Sequence, residues 1–332
     1  MIDIVALGEI LIDFTPSGVN EQGIAMFARN PGGAPANVLA MNNRLGGTSA
    51  FLGKVGADGF GRYLRHTLTE CGIYDAGLVE DNSIPTTLAF VQLNEQGDRS
   101  FSFYRKPGAD LMLKASEVRR DLIDQCKIFH FGSVSLTDEP CRSACLDAAA
   151  YAKQQAKRIS FDPNYRPLLW DTEADAREQI MRGIALADIL KVSEEELLLI
   201  TGTADLEAGS KILMEKGPSL VLVTLGERGA FYRNRTNAQL IPTYPVKAID
   251  TTGSGDAFVG AMLWSLKDLP EEELFLGDLS QIVDFANAAG SLTAMRGGAI
   301  PALPSIEEIQ VCCQKKIGIC LYNVQDITVI MS

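Results

Sequence analysis

Short β-rich apolar runs alternate with stretches of helical period along most of this chain, and that alternation leaves few folds open. Ile2–Leu7 reads as a strand ending in Gly8-Glu9, and Ile10–Phe14 resumes it with Asp13 set between apolar neighbours. The turn cluster Asn30-Pro31-Gly32-Gly33-Ala34-Pro35 precedes Ala36–Leu45, where apolar residues recur at helical spacing until Gly46-Gly47 ends them. Ser49–Val55, Lys127–Phe131, Arg158–Asp162 and Ile189–Val192 read as further strands, with Tyr63–Cys71, Ala144–Gln155, Ala174–Gly183 and Glu194–Ile200 as helices between or after them. Such repetition predicts an α/β fold, a mainly parallel doubly wound sheet flanked by helices. Between Thr86 and Tyr104 two β-rich runs flank the turn Asn94–Asp98 with no helix between them, which predicts an inserted hairpin. A hairpin there could form a small extra sheet, a lid over the carboxyl ends of the main strands. Without a repeat or linker, the 332 residues read as one large unit over 1–310 with a lid from about 10–30 and 84–108. Residues 311–332 are left as a tail without a role, and Ile317–Ser332 reads as β-rich.

Composition closes off several function classes. Apolar residues make up 46% and charged residues 22%, as in ordinary globular chains, and the formal charge of −12 disfavours a broad grip on nucleic acid or anionic lipid. A local anion site is still allowed, because it needs only backbone amides and a few cations. No run of 18 apolar residues and no basic leader is visible, so no membrane span is expected and the location read from the sequence is cytoplasmic. Seven irregularly spaced cysteines and only two histidines, His66 and His130, argue for reduced thiols and against a zinc site.

The string Asp250-Thr251-Thr252-Gly253-Ser254-Gly255-Asp256, followed by the apolar run Ala257–Leu263, carries the chemistry. Small residues at a helix start leave amides without intrahelical partners, and the helix dipole adds partial positive charge, so an anion such as a phosphate can be held by Gly253, Ser254 and Gly255. A carboxylate beside that cradle has a role if it takes a proton from an attacking hydroxyl, which makes Asp256 a candidate general base for phosphoryl transfer assisted by a metal ion. The plain alternative is that Asp256 only favours the helix start. Gly47–Lys54 imitates a P-loop, but its glycine spacing is one residue too long and Val55 stands where Ser or Thr would bind magnesium. No Gly-x-Gly-x-x-Gly follows the first strand, which weakens a dinucleotide-dependent dehydrogenase. Val221–Thr224, running into Leu225-Gly226-Glu227-Arg228-Gly229, could pass close to a nucleotide or could be a plain strand and turn. Phe285–Gly290 offers a small-residue helix face that could take a flat base or simply pack tightly.

Taken in order, these fragments resemble the ribokinase-like family of sugar kinases. Asp250–Asp256 is similar to its C-terminal signature and Gly32-Gly33-Ala34-Pro35-Ala36-Asn37 to its N-terminal one. Gly8-Glu9-x-x-x-Asp13, Thr224-Leu225-Gly226 and Arg296-Gly297-Gly298-Ala299 extend the likeness over about residues 1–310. The resemblance implies MgATP as phosphoryl donor, a sugar alcohol as acceptor, Asp256 as base and Gly253–Gly255 as anion hole. It implies ATP contacts from Thr224, Gly226, Gly229 and Asn287. Glu196 would act on Mg²⁺ through water, and Ser193 stands where relatives carry Asn, which leaves its phosphate contact open. A K⁺ ion near Asp250, Thr252 and Gly298 is implied by many relatives. On the acceptor side the implied residues are Asp13, Gly32, Gly33 and Asn37. Phe161–Pro167, Leu88–Val91, Phe101–Arg105 and Gly298–Pro304 resemble the bacterial fructokinase branch, which adds Phe103, Arg105 and Arg166 toward the sugar and fructose 6-phosphate as product. A 2-keto-3-deoxygluconate kinase would want the same two arginines for a carboxylate. Other sugar or nucleoside kinases, and a member that has lost catalysis and only binds, are the remaining readings. Relatives are often homodimers through their lids.

Overall fold

The structure, a computed structural model, describes residues 1–93 and 99–321, with side chains from 92 to 101 and from 316 onward left aside. Its strands in chain order are β1 Ile2–Leu7, β2 Leu11–Val19, β3 Ala25–Gly32, β4 Ser49–Gly56, β5 Tyr74–Asp81, β6 Leu88–Leu93 and β7 Arg99–Tyr104. They continue with β8 Cys126–Gly132, β9 Arg158–Asp162, β10 Ile189–Ser193, β11 Leu220–Thr224, β12 Ala230–Arg233 and β13 Ala238–Ile241. Nine of them form one sheet in the order β13-β12-β11-β10-β9-β8-β1-β4-β5. From β11 to β5 the pairing is parallel, and β12 and β13 close one edge antiparallel.

A buried parallel sheet needs apolar residues on both faces, and the period of two delivers them. In β1, Ile4 and Ala6 enter one core with the helices Ala34–Arg44, Ser254–Leu266 and Ser280–Ala294. Val5 and Leu7 enter the other, with Cys141–Gln154 and Glu173–Leu186. The main sheet is thus fully covered, and open chemistry is left to the strand ends. Because β1 is flanked by β4 on one side and β8 on the other, the chain winds away from it in both directions. Ligand crevices of such sheets lie outside the carboxyl ends at that reversal.

The other four strands form a separate small sheet in the order β3-β2-β6-β7. Asp13 of β2 is paired with Asn30 of β3 on one side and Ala89 of β6 on the other. Phe103 of β7 lies opposite Ala89, one strand further out. The hairpin turn Asn94–Asp98 lies outside the described residues.

Two sequence expectations change. The helix expected from Tyr63 begins at Gly59, because Asp58 caps it by accepting from the Gly61 amide at 2.7 Å. Ile317–Leu321, expected to be β-rich, is instead helical, the last described part of the helix Ile306–Leu321. Extending an existing helix adds a hydrogen bond for each residue fixed, which outweighs a weak β preference. Residues 322–332 lie outside the described part. Lys54 of the P-loop look-alike is buried in β4 and bound to Asp81 at 3.1 Å and Glu117 at 2.9 Å.

Candidate active site

The helix Ser254–Leu266 starts at the floor of a cavity of about 510 Å³ lined by Asp13, Gly33, Asn37, Phe103, Asn164, Arg166, Lys191, Thr252, Gly253, Gly255 and Asp256, among others. Gly253 caps this helix with φ 77, and a Cβ there would stand 2.8 Å from that of Ala299, so both backbone and neighbour require glycine. The Ser254 amide turns back to the Thr251 carbonyl at 3.2 Å. The next amides, those of Gly255 and Asp256, are first-turn donors for which the helix has no acceptor.

Asp256 is buried in that first turn. Its Oδ2 accepts from Asn37 Nδ2 at 2.8 Å and its Oδ1 from Asn164 Nδ2 at 3.4 Å. Burial pushes its pKa above the usual carboxylate value, against the Asn37 hydrogen bond and the charges of Lys191 and Arg166. Asn37 Oδ1 is itself buried without a partner. Asn164 adopts φ 47, an uncommon conformation for a residue with a side chain.

Across the cavity, Asp13 is partly exposed and its carboxyl is raised to about 7, chiefly by desolvation, with Asp256 and Asp250 adding and Arg166 opposing. Gly32 and Gly33 make room here. A Cβ on Gly32 would stand 2.0 Å from Asp13 Oδ2, and one on Gly33, whose φ is 113, would stand 2.4 Å from the Glu9 carbonyl. Arg166 is exposed at the rim. Glu9, raised to about 7 by burial, accepts from the Ala34 amide through Oε1 at 3.0 Å, and its Oε2 is buried without a partner.

A second group lies along the adjoining strand ends. Ser193 of β10 and Thr224 of β11 are register partners. Gly226 and Gly229 form the turn after Thr224, with Leu225 donating to the Gly229 carbonyl at 2.8 Å. A Cβ on Gly229 would press on the Ile241 carbonyl, the same oxygen that receives Asn287 Nδ2 at 2.9 Å. Ser193 and Glu196 form a capping box for the helix Glu194–Thr201. Both Glu196 oxygens accept backbone amides, Oε1 from Tyr165 at 2.6 Å and Oε2 from Ser193 at 2.7 Å. Asp250 ties two of the motifs together, accepting from Thr252 at 2.9 Å and from Gly298 at 3.1 Å.

Arg105, expected to face a sugar, does not line this cavity. It is buried, with Nε donating to Asp110 at 2.8 Å, Nη1 to Thr137 at 2.8 Å and Nη2 to the Val134 carbonyl at 2.8 Å. Removing one member of a buried ion pair strands the other, so Arg105→Met is expected to lower stability by about 3–5 kcal/mol in chemical denaturation. Sequence reading also missed Lys191 and Asn164, which line the cavity. Asp162 is another, holding Lys191 through Oδ1 at 3.2 Å and Oδ2 at 3.1 Å. Burial raises Asp162 to about 6 even so.

A two-sided cavity of this kind, with an amide cradle and carboxylate on one wall and hydrogen-bonding groups on a small sheet opposite, suits transfer between an anion and a polyol. Residues 1–306 match the description pfkB family carbohydrate kinase, and the chain belongs to that family. It is a sugar kinase. Fructokinase-1 of Oryza sativa subsp. japonica is 44% identical over 309 residues, covering 92% of this chain and 96% of its own. Fructokinase from Xylella fastidiosa, solved with bound ATP, has a TM-score of 0.87 at 34% identity, covering 95% of this chain and 99% of its own. Fructokinase from Vibrio cholerae O395, in a form with fructose, ADP and calcium ion bound, has a TM-score of 0.84 at 36% identity, covering 94% and 99%. No helix among the described residues is long and apolar enough to cross a membrane.

Proposed function

We propose that this chain transfers the γ-phosphoryl group of ATP to the 6-hydroxyl of fructose, giving fructose 6-phosphate and ADP. One observation carries the reading: Asp256 stands in the first turn of a helix whose free amides open onto the same cavity as Asp13, Gly33 and Asn37. Asp256 takes the hydroxyl proton as the sugar oxygen forms its bond to phosphorus, and the bond from phosphorus to the β–γ bridging oxygen breaks with its electrons leaving on ADP. Amides of the Gly253–Gly255 turn and of Asp256 face the charge on the moving group. Asp13 accepts two sugar hydroxyls, Gly32 and Gly33 let the ring approach the backbone, and the small sheet covers it with Phe103. Thr224, Gly226, Gly229 and Asn287 hold the nucleotide.

Magnesium, when bound with the nucleotide, screens phosphate charge. Both Glu196 oxygens already accept amides, and each carboxylate oxygen has a second lone pair, so Glu196 fits a hold through water. Asp250 draws the Thr252 and Gly298 loops together, which fits a monovalent cation such as potassium among their carbonyls.

A 2-keto-3-deoxy sugar acid is the nearest rival substrate. It would use two arginines, whereas the charge of Arg105 is already matched by Asp110 at 2.7 Å, and Arg166 alone stands at the cavity. A coupled ADP-release assay over a sugar panel is expected to give the highest kcat/KM with fructose. Better turnover of the keto-deoxy acid would overturn the substrate assignment.

A further inference from the structure

We infer that Lys191 is a catalytic cation of the phosphoryl transfer, meeting the moving phosphoryl group from the floor of the cavity beside the amides of Gly255 and Asp256. This rests on the reading of that site as the place of transfer.

Lys191 sits in β10 between Leu190 and Val192, both fully buried core residues, and is itself nine-tenths buried. An ammonium in such a strand is costly to desolvate, and a well-packed apolar pair in place of the ion pair is often as stable. Packing therefore gives no reason for a lysine. The Asp162 carboxylate faces the ammonium with both oxygens at 3.1 and 3.2 Å. An ammonium has three donors, and two oxygens leave the third unused.

Gly255 is the backbone that lies beside this ammonium. A Cβ built on Gly255 would have Lys191 Nζ, at 3.5 Å, as its only heavy-atom neighbour within 4 Å among the described residues outside its own helix turn and chain neighbours. That is ordinary contact, and Gly255 is not in the left-handed region, so neither backbone nor packing demands glycine there. What a side chain at 255 would do is lie against the ammonium at the cavity that both residues line. Glycine at this helix position puts no side chain against the cation.

Charge balance points the same way. Asp162, Glu196 and Asp256 all act on Lys191, and Asp13 faces Asp256, while the cations on this cavity are Lys191 and Arg166. A triphosphate adds more negative charge to that set. Lys191 is the buried cation, where water screens least and a charge acts most strongly on a transition state.

The test is a pair of variants, Lys191→Met and the double variant Asp162→Asn/Lys191→Met. The first leaves Asp162 buried and unpaired and can lose stability for that reason alone. The second removes the stranded charge and keeps an oxygen for the Asn164 amide, which now donates to Asp162 Oδ1 at 3.1 Å. In the double variant the melting temperature is expected to stay near that of the wild type, with kcat down by about 10²-fold, as for loss of one oxyanion donor, and the sugar KM changed little. Recovery of kcat to near the wild-type value in the double variant would overturn the proposal and reduce Lys191 to a counter-ion for Asp162. Asp256→Asn, assayed in parallel, separates the two failures. If it keeps turnover, the site reading itself fails; if it loses turnover while the double variant keeps it, only the role of Lys191 does.

Discussion

Asp256→Asn is expected to lower kcat by about 10²–10⁴-fold, the range for loss of a general base, while the protein melts no lower than the wild type at pH 8. The two halves of that result have separate causes. An asparagine side chain cannot take the hydroxyl proton, so the attacking oxygen must lose it to solvent or to the phosphate. The fold is spared because the neighbours can adjust. Asn37 now donates Nδ2 to the carboxylate at 2.8 Å and leaves its Oδ1 buried without a partner. The new side chain still carries one oxygen, which can take the place of Oδ2 as acceptor for Asn37 Nδ2.

The sign of the stability change follows from the raised pKa. A carboxyl held above its unfolded value binds more protons in the native state than in the unfolded state, so its contribution to stability falls as pH rises through the folded pKa. Above that folded pKa the ionised Asp256 therefore costs the fold something, and asparagine removes that cost, the usual trade between activity and stability at a site. A variant with near-normal turnover would reassign the base. One that is inactive and also strongly destabilised would leave Asp256 as a structural group.

Much of the architecture is legible in the sequence because its determinants are local. Strand bounds at Ile2–Leu7 and Arg158–Asp162 follow from apolar runs closed by polar or glycine residues, and the structure has the same bounds. The site was legible only where chemistry is concentrated in a few adjacent positions. Asp256 stands out because it directly follows a glycine-rich helix start. Lys191 does not, since it looks like one polar residue in an apolar strand, and its partner Asp162 is 29 positions away in the sequence. Arg105 differs from its sequence expectation for the opposite reason. An arginine ending an aromatic strand looks available to a ligand, and only the folded chain shows Asp110, Thr137 and Val134 closing around it. Asp58 was a helix cap within reach of sequence rules, hidden among the glycines at 56, 59 and 61.

Replacing Asp13 by asparagine is expected to reduce kcat/KM for the sugar by about 10²–10⁴-fold, mostly through KM. Two hydroxyls would lose an ionised acceptor, and hydrogen bonds to charged groups are worth about 1.5–3 kcal/mol each. The same carboxyl should shape the pH profile of the wild type. With its value at about 7, half of the free enzyme carries a protonated Asp13 near neutrality, so kcat/KM should fall on the acid side of that point. In the variant that limb should move or vanish. Stability runs the other way. The folded value lies well above the ordinary carboxyl value of 3.8, so the wild type should lose stability as pH rises from 6 to 8. Asp13→Asn should lose less over the same interval, although not nothing, because Glu9 is also raised to about 7 and keeps its own share of the slope. Thermal melts of both proteins across that interval, set beside their pH–rate profiles, check the two signs together. A variant that binds sugar as before, with an unchanged acid limb and an unchanged slope, would remove Asp13 from the acceptor site.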